Sequence, residues 1–218
     1  MIPVASVEPQ LPTERLAQVI RDRITTGHYR PGAWIREAEL QREFGLSNGP
    51  VREALQNVVG DGLAERAPFR GVRVIDLTEQ ELVELFEVRT ALLGFAAELA
   101  AERGGSDVAR SAAALKSRMS EAPHDGAADF WLAGELSQWV FALAGNARLR
   151  EAYRRPLLQS LVYISVVRKG TQSAALLRFA LRLIDAIAAG QRTKARRAVH
   201  DLSAQTLAHL RTTQESTK

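Results

Sequence analysis

Two short segments of apolar periodicity, one holding Leu40 and Phe44 and the next holding Val51, Ala54, Leu55 and Val58, are separated only by Gly45-Leu46-Ser47. A glycine at that point supplies a left-handed C-cap, and so short a connection forces a sharp turn between two helices. Pro50 fits only in the first turn of the second of these helices, where its missing N–H has no intrahelical partner. Upstream, Leu16, Val19, Ile20 and Ile24 repeat at helical spacing behind Thr13, the expected N-cap, and Gly27 followed by Pro31-Gly32 predicts a turn. Downstream, Gly60-Asp61-Gly62 closes the third helix, and residues 63–66 and 72–74 alternate like two short strands around a turn. Residues 11–75 therefore read as a winged helix-turn-helix of three helices plus a β-hairpin wing.

Residues 1–10 carry no period and are expected to form a tail. From Thr78 onward the strand signals vanish, and helical patterning is interrupted at Gly104-Gly105, near Pro123, at Gly145-Asn146, near Pro156, around Gly170 and at Gly190. The expectation is a mainly α protein whose second domain, residues 79–212, is an all-α antiparallel bundle of six or seven helices, joined by a linker at 75–78. Asn146 is read as a device that ends a helix.

With no cysteine, disulfide scaffolds, thiolate zinc sites and thiol nucleophiles are excluded. No leader pattern and no long uncharged apolar run is evident, so a soluble cytoplasmic protein without a membrane partner is expected. The net charge of +4 invites a nucleic-acid reading, yet residues 1–76 hold ten Arg against ten acidic residues. Charge alone therefore decides nothing, although every cation in that segment is Arg, whose planar fork suits phosphate and guanine.

In a helix-turn-helix the N-terminal end of the second helix enters the major groove. Here that end offers Ser47, Asn48 and Gly49 and, one turn on, Arg52, with Arg36 at the start of the preceding helix. Ser47 and the free amides can hold a phosphate, while Asn48 and Arg52 carry the donors that read adenine and guanine. The wing adds Arg66, Phe69, Arg70 and Arg73 for the minor groove or backbone. A small bundle with an ordinary exposed Arg52-Glu53 pair, or a winged helix that binds protein, would share the same elements.

The runs Tyr29-Arg30-Pro31-Gly32, Ile35-Arg36-Glu37-Ala38-Glu39-Leu40, Phe44-Gly45-Leu46-Ser47, Pro50-Val51-Arg52-Glu53-Ala54-Leu55, Gly62-Leu63 and Arg70-Gly71-Val72 resemble the GntR family of bacterial regulators. The second half is similar to the FadR-type effector domain of that family, called FCD, through Leu85-Phe86-Glu87-Val88-Arg89, Leu99-Ala100-Ala101-Glu102-Arg103, Leu143-Ala144-Gly145-Asn146-Ala147-Arg148-Leu149 and Ile184-Asp185-Ala186-Ile187. The resemblance implies a homodimeric repressor that binds double-stranded operator DNA and is controlled by a small metabolite, such as a carboxylate, in the helical domain. Many relatives carry Arg-Thr where this chain has Asn48-Gly49, which leaves Arg52 as the main candidate for reading bases.

Many FCD domains hold a metal through an Asp and three His. Those positions fall here on Ala133, Ser137, Ala180 and Leu202, so no metal cofactor is expected. His200 stands two residues from one of them, turned about 200° away on a helix, and is expected at the surface. An effector would then be met by direct contacts, for which Arg89, in the apolar stripe of Leu82, Leu85, Phe86, Leu92 and Leu93, is the first candidate, followed by Ser137 and Arg168. An ion pair inside the bundle would explain Arg89 equally well. Trp131, Trp139, Phe130 and Phe141 are read as packing residues. No phosphate loop, nucleophile elbow or metalloprotease motif points to an enzyme. The alternative function is an architectural or protein-interaction module without an effector.

Overall fold

The computed structural model describes residues 12–67, 70–121, 126–167 and 173–215, and the chain divides into two compact units, Met1–Asp76 and Leu77–Lys218. The first unit contains α1 (Pro12–Thr25), β1 (Trp34–Ile35), α2 (Glu37–Phe44), α3 (Asn48–Gly60), β2 (Ala64–Ala67) and β3 (Gly71–Val74). Leu16, Ala17, Ile20 and Ile24 of α1 and Val51, Ala54, Leu55 and Val58 of α3 are all buried, so the two apolar stripes seen in the sequence face one another. Thr13 lies inside α1 and donates to Glu53 Oε2 at 3.4 Å, so it is not the N-cap the sequence suggested.

The wing is larger than a hairpin. β1 pairs antiparallel with β3, giving a three-stranded sheet in the order β1-β3-β2. A two-residue strand is too short to alternate visibly, which is why the sequence showed only the preceding Pro-Gly turn. That turn sets up the pairing: Gly32, at φ 76°, donates to Val74 O at 3.2 Å, and Val74 N donates to Ala33 O at 2.9 Å. Ion pairs brace the helices, Arg21 to Asp61 and Glu14, and Arg23 to Glu43. Burial disfavours the charge on Arg21, but hydrogen bonds to Asp61 and Glu14 more than offset it and its pKa is raised.

The second unit contains six helices among the described residues: α4 (Glu79–Arg103), α5 (Val108–Glu121), α6 (Gly126–Ala144), α7 (Ala147–Val167), α8 (Ser173–Ala188) and α9 (Arg192–Glu215). α4 opens with a reciprocal capping box. Thr78 Oγ1 accepts from Glu81 N, and Glu81 Oε2 accepts from Thr78 N at 2.8 Å. Its second half is buried on nearly every side, at Leu93, Gly94, Ala96, Ala97, Leu99, Ala100 and Ala101, because α6, α7, α8 and α9 all pack on it.

Two sequence expectations change here. α7 continues through Pro156, although the proline leaves the Ala152 carbonyl without its helical donor. Burial of Tyr153, Ser160, Leu161 and Ile164 on both sides of the proline outweighs that loss. Asn146 starts a helix instead of ending one, its Oδ1 accepting from Leu149 N at 3.0 Å, while Gly145 at φ 60° ends α6. Among the described residues no helix is long and apolar enough to cross a membrane.

Candidate nucleic-acid interface and helical-domain site

Gly45 adopts φ 64°, ψ 26° and turns the chain out of α2, and Ser47 takes the extended N-cap conformation that starts α3. The Ser47 side chain makes no capping hydrogen bond. The first amides of α3 thus keep their donors, and the serine hydroxyl is free to join them on an anion. Ser47, Asn48, Gly49 and Arg52 are all exposed, and Asn48 and Arg52, one turn apart, share a face of α3 about a quarter turn round the helix from the buried Val51 and Val58.

Two of these side chains are held in place from α2. Arg52 donates through Nε to Glu37 Oε2 at 3.0 Å, and Gln41 Nε2 donates to Asn48 Oδ1 at 3.3 Å. Because Glu37 takes the Nε edge, the two terminal amino groups of Arg52 point away from it with their donors available, the pair that a guanine O6/N7 edge would accept. Sequence reasoning missed Glu37 and Gln41. The signal was present, since both lie on the helix packed against α3, but which α2 residues face α3 follows only from the turn geometry. Arg36, at the N-cap of α2, is exposed and lies 3.7 Å from Glu39.

The wing does not gather its arginines on one face. Arg73 stands opposite Glu65 in the ladder and is paired with it, Nη2 to Oε1 at 2.8 Å and Nε to Oε1 at 3.2 Å. Arg66, one residue along β2 from Glu65, projects to the other face of the sheet and is exposed, as is Arg70 in the turn. Arg66 and Arg70 form no ion pair among the described residues, which leaves them, and not Arg73, as the wing's available cations. Phe69 lies outside the described residues.

In the second unit, Arg89 projects from α4 into the bundle and is 6% exposed. Its guanidinium carbon lies 5.6 Å from the Phe86 ring centroid and 6.0 Å from that of Tyr153. No carboxylate pairs with it among the described residues, and its Nε has no hydrogen-bond partner. The Tyr153 hydroxyl, on α7, is likewise buried and unpartnered. Phe141 packs on Tyr153 at 4.8 Å, and buried Ser137 lies one turn before Phe141 on the same side of α6. Tyr153 was not singled out from the sequence, where nothing separates a pocket tyrosine from a packing one. Arg168, and the side chains of Phe130 and Trp131, lie outside the described residues. Trp139 donates to Ser111 Oγ at 3.1 Å and packs against the core, as Phe141 does.

The positions at which FCD relatives place metal ligands do not fit a metal in this chain. Ala133, Ala180, Leu202 and Ser137 offer no imidazole or carboxylate, and among the described residues no three His, Asp or Glu side chains come together. His200 is exposed on α9, outside the packed interior.

These features define a DNA-binding protein of the winged helix-turn-helix class carrying an all-helical second domain. The profile of the gntR family of bacterial regulatory proteins matches residues 12–74, and that of the FCD domain matches residues 84–205. The chain belongs to the GntR family, in its FCD-containing branch. It is 40% identical over 90 residues to the probable D-xylose utilization operon transcriptional repressor of Paenarthrobacter nicotinovorans, covering 39% of this chain and 40% of that one. It is 32% identical over 88 residues to the transcriptional repressor GlaR of Escherichia coli, covering 40% of each. The chain thus matches well under half the length of these curated relatives. Among solved structures, E. coli McbR/YncC aligns with TM-score 0.77 at 19% identity over 94% of this chain and 99% of that one. A GntR transcriptional regulator from Rhodococcus sp. RHA1 aligns with TM-score 0.70 at 25% identity over 90% and 97%.

Proposed function

We propose that this chain is a dimeric transcriptional repressor that reads a two-fold operator through α3 and releases it when a small carboxylate enters the helical unit. The observation that carries the first half is the exposed Ser47–Asn48–Arg52 face, with Arg52 held by Glu37 so that its terminal amino groups stay free. In this reading Ser47 and the α3 amides grip phosphate, Arg52 and Asn48 read bases, and Arg36, Arg66 and Arg70 steer the duplex. The repressor role rests on the relatives, among which the gluconate operon repressor of Bacillus subtilis also aligns, 36% identical over 84 residues.

The second half rests on Arg89 and Tyr153. A buried guanidinium that no carboxylate pairs with among the described residues, beside a buried phenol that has no partner among them, is a costly arrangement that an incoming carboxylate relieves, accepting from both. The residues at the family's ligand positions support recognition by direct contact with no metal between. Regulatory proteins of this family act by binding, and no catalytic step is assigned.

The test is a fluorescence-anisotropy titration of operator and scrambled duplexes at several salt concentrations. Arg52→Ala is expected to cost about 1–3 kcal/mol on the operator and to relax base preference while leaving the salt slope nearly unchanged. Equal affinity of the unsubstituted protein for both duplexes would sink the specific-regulator reading.

A further inference from the structure

The two side-chain bonds that tie α2 to the reading face of α3 have opposite polarity. Glu37 and Gln41 stand four residues apart on α2, and the residues they hold, Arg52 and Asn48, stand four apart on α3, so each pair shares one face of its helix. Glu37 accepts from Arg52, whereas Gln41 donates to Asn48, Nε2 to Oδ1 at 3.3 Å. A carboxamide has one accepting oxygen and one nitrogen that carries two hydrogens. With the Asn48 oxygen turned back to Gln41, the nitrogen and both its hydrogens are left for a ligand, and Asn48 is exposed.

We infer that Gln41 sets the base that Asn48 reads, turning it from adenine to guanine, an inference that rests on the operator-reading role proposed above. An asparagine in the major groove pairs with adenine when its oxygen accepts from N6 and its nitrogen donates to N7. That match needs the oxygen and the nitrogen to point at the base together. Here the available atoms are two hydrogens on one nitrogen, and they call for a base edge with two acceptors and no donor. Guanine alone presents that edge, through O6 and N7. Adenine would set its N6 amino group against the Asn48 amino group, donor against donor.

The neighbouring groups act in the same sense. Arg52 brings its two terminal amino groups, while the Glu37 carboxylate, the acceptor nearest to them, is turned to Arg52 Nε. A half-site read by this face therefore carries guanine both at the Arg52 position and at the Asn48 position. Gln41 acts through Asn48, as a positioning residue.

The test is selection of duplexes from a randomised pool by the full chain, followed by anisotropy titration of single-base variants of the selected site at fixed salt. The position read by Asn48 is the one whose preference Asn48→Ala abolishes. A G·C pair is expected there, favoured over A·T by about 5-fold or more. Gln41→Leu removes the donor and leaves the Asn48 amide free to turn, so the two pairs are expected to bind within about 3-fold of each other. Gln41→Glu sets an acceptor opposite Asn48. The amide then donates one hydrogen back to α2 and offers its oxygen with the other hydrogen, the pattern that adenine N6 and N7 take, and preference is expected to pass to A·T while the Arg52 position keeps its guanine. An A·T pair selected at the Asn48 position by the unsubstituted protein would overturn the inference and leave the operator-reading role standing. So would a site whose base preferences ignore Asn48→Ala or both Gln41 exchanges. A pool in which no sequence is enriched would overturn that role itself, and the inference with it.

Discussion

Replacing Arg89 by Met separates a ligand-binding arginine from a structural one. Arg89 is 6% exposed, has an unpartnered Nε and touches two aromatic rings. The cation–ring contacts return roughly 0.5–2 kcal/mol each, while burying a cation that no carboxylate pairs with among the described residues costs several. A Met of similar length removes the charge and replaces the ring contacts with sulfur–aromatic ones of about 0.3–1.5 kcal/mol. The balance favours Arg89→Met by about 1–2 kcal/mol, a rise of roughly 2–8 °C in melting temperature for a chain of this size. The same substitution should abolish the response to ligand. A carboxylate at a hundred times its dissociation constant stabilises the unsubstituted protein by about 2.7 kcal/mol, and the variant by nothing. Differential scanning fluorimetry after chelation, against a panel of small carboxylates and sugar acids, reads both effects. Destabilisation by about 3 kcal/mol or more, the cost of breaking a buried ion pair, would refute the reasoning and make Arg89 structural. Tyr153→Phe should follow the same sign, with the apo protein unharmed and the response diminished.

Glu37→Ala should leave stability within about 0.5 kcal/mol, since its partner Arg52 is largely exposed, yet weaken operator binding about 2- to 10-fold because Arg52 must then be ordered on binding. An unchanged ratio of operator to random-DNA affinity would count against it. Gly32→Ala should destabilise the first unit by about 1–3 kcal/mol in a denaturant titration, because φ is 76° and the new Cβ would sit 3.0 Å from Asp76 Oδ2. The hydrogen bond from Arg23 holds the Glu43 carboxyl below its ordinary value of 4.5, so its contribution is present above that pH and is lost as pH falls through the lowered folded value. Melting curves of Glu43→Gln and the unsubstituted protein should therefore converge in acid; a constant gap would contradict the assignment.

The reading half of the molecule was largely legible from sequence because its signals are local. Gly45, Pro50 and the stripe Val51, Ala54, Leu55 and Val58 each report on their own few residues. What was not legible depends on contacts between distant segments. β1 is a strand only because β3 returns beside it, and Pro156 sits within α7 only because the helix is packed around it. Asn146 faced two ways, and the choice between ending one helix and capping the next is settled by the Leu149 amide. The wing arginines looked equivalent along the chain, yet pairing of Glu65 opposite Arg73 divides them. At Arg89 the sequence could offer ligand contact or ion pair, and no carboxylate faces it among the described residues.

The Glu37–Arg52 bond makes the reading head a two-helix part. Transplanting α3 alone onto another scaffold would move the donors without the carboxylate that aims them, and the graft would bind duplexes with blurred preference. Conversely, operator choice can drift through exchanges on α2 that never approach a base, so two relatives with the same α3 need not share a target. Retargeting such a protein means exchanging the segment from Glu37 to Gly60 as one cassette.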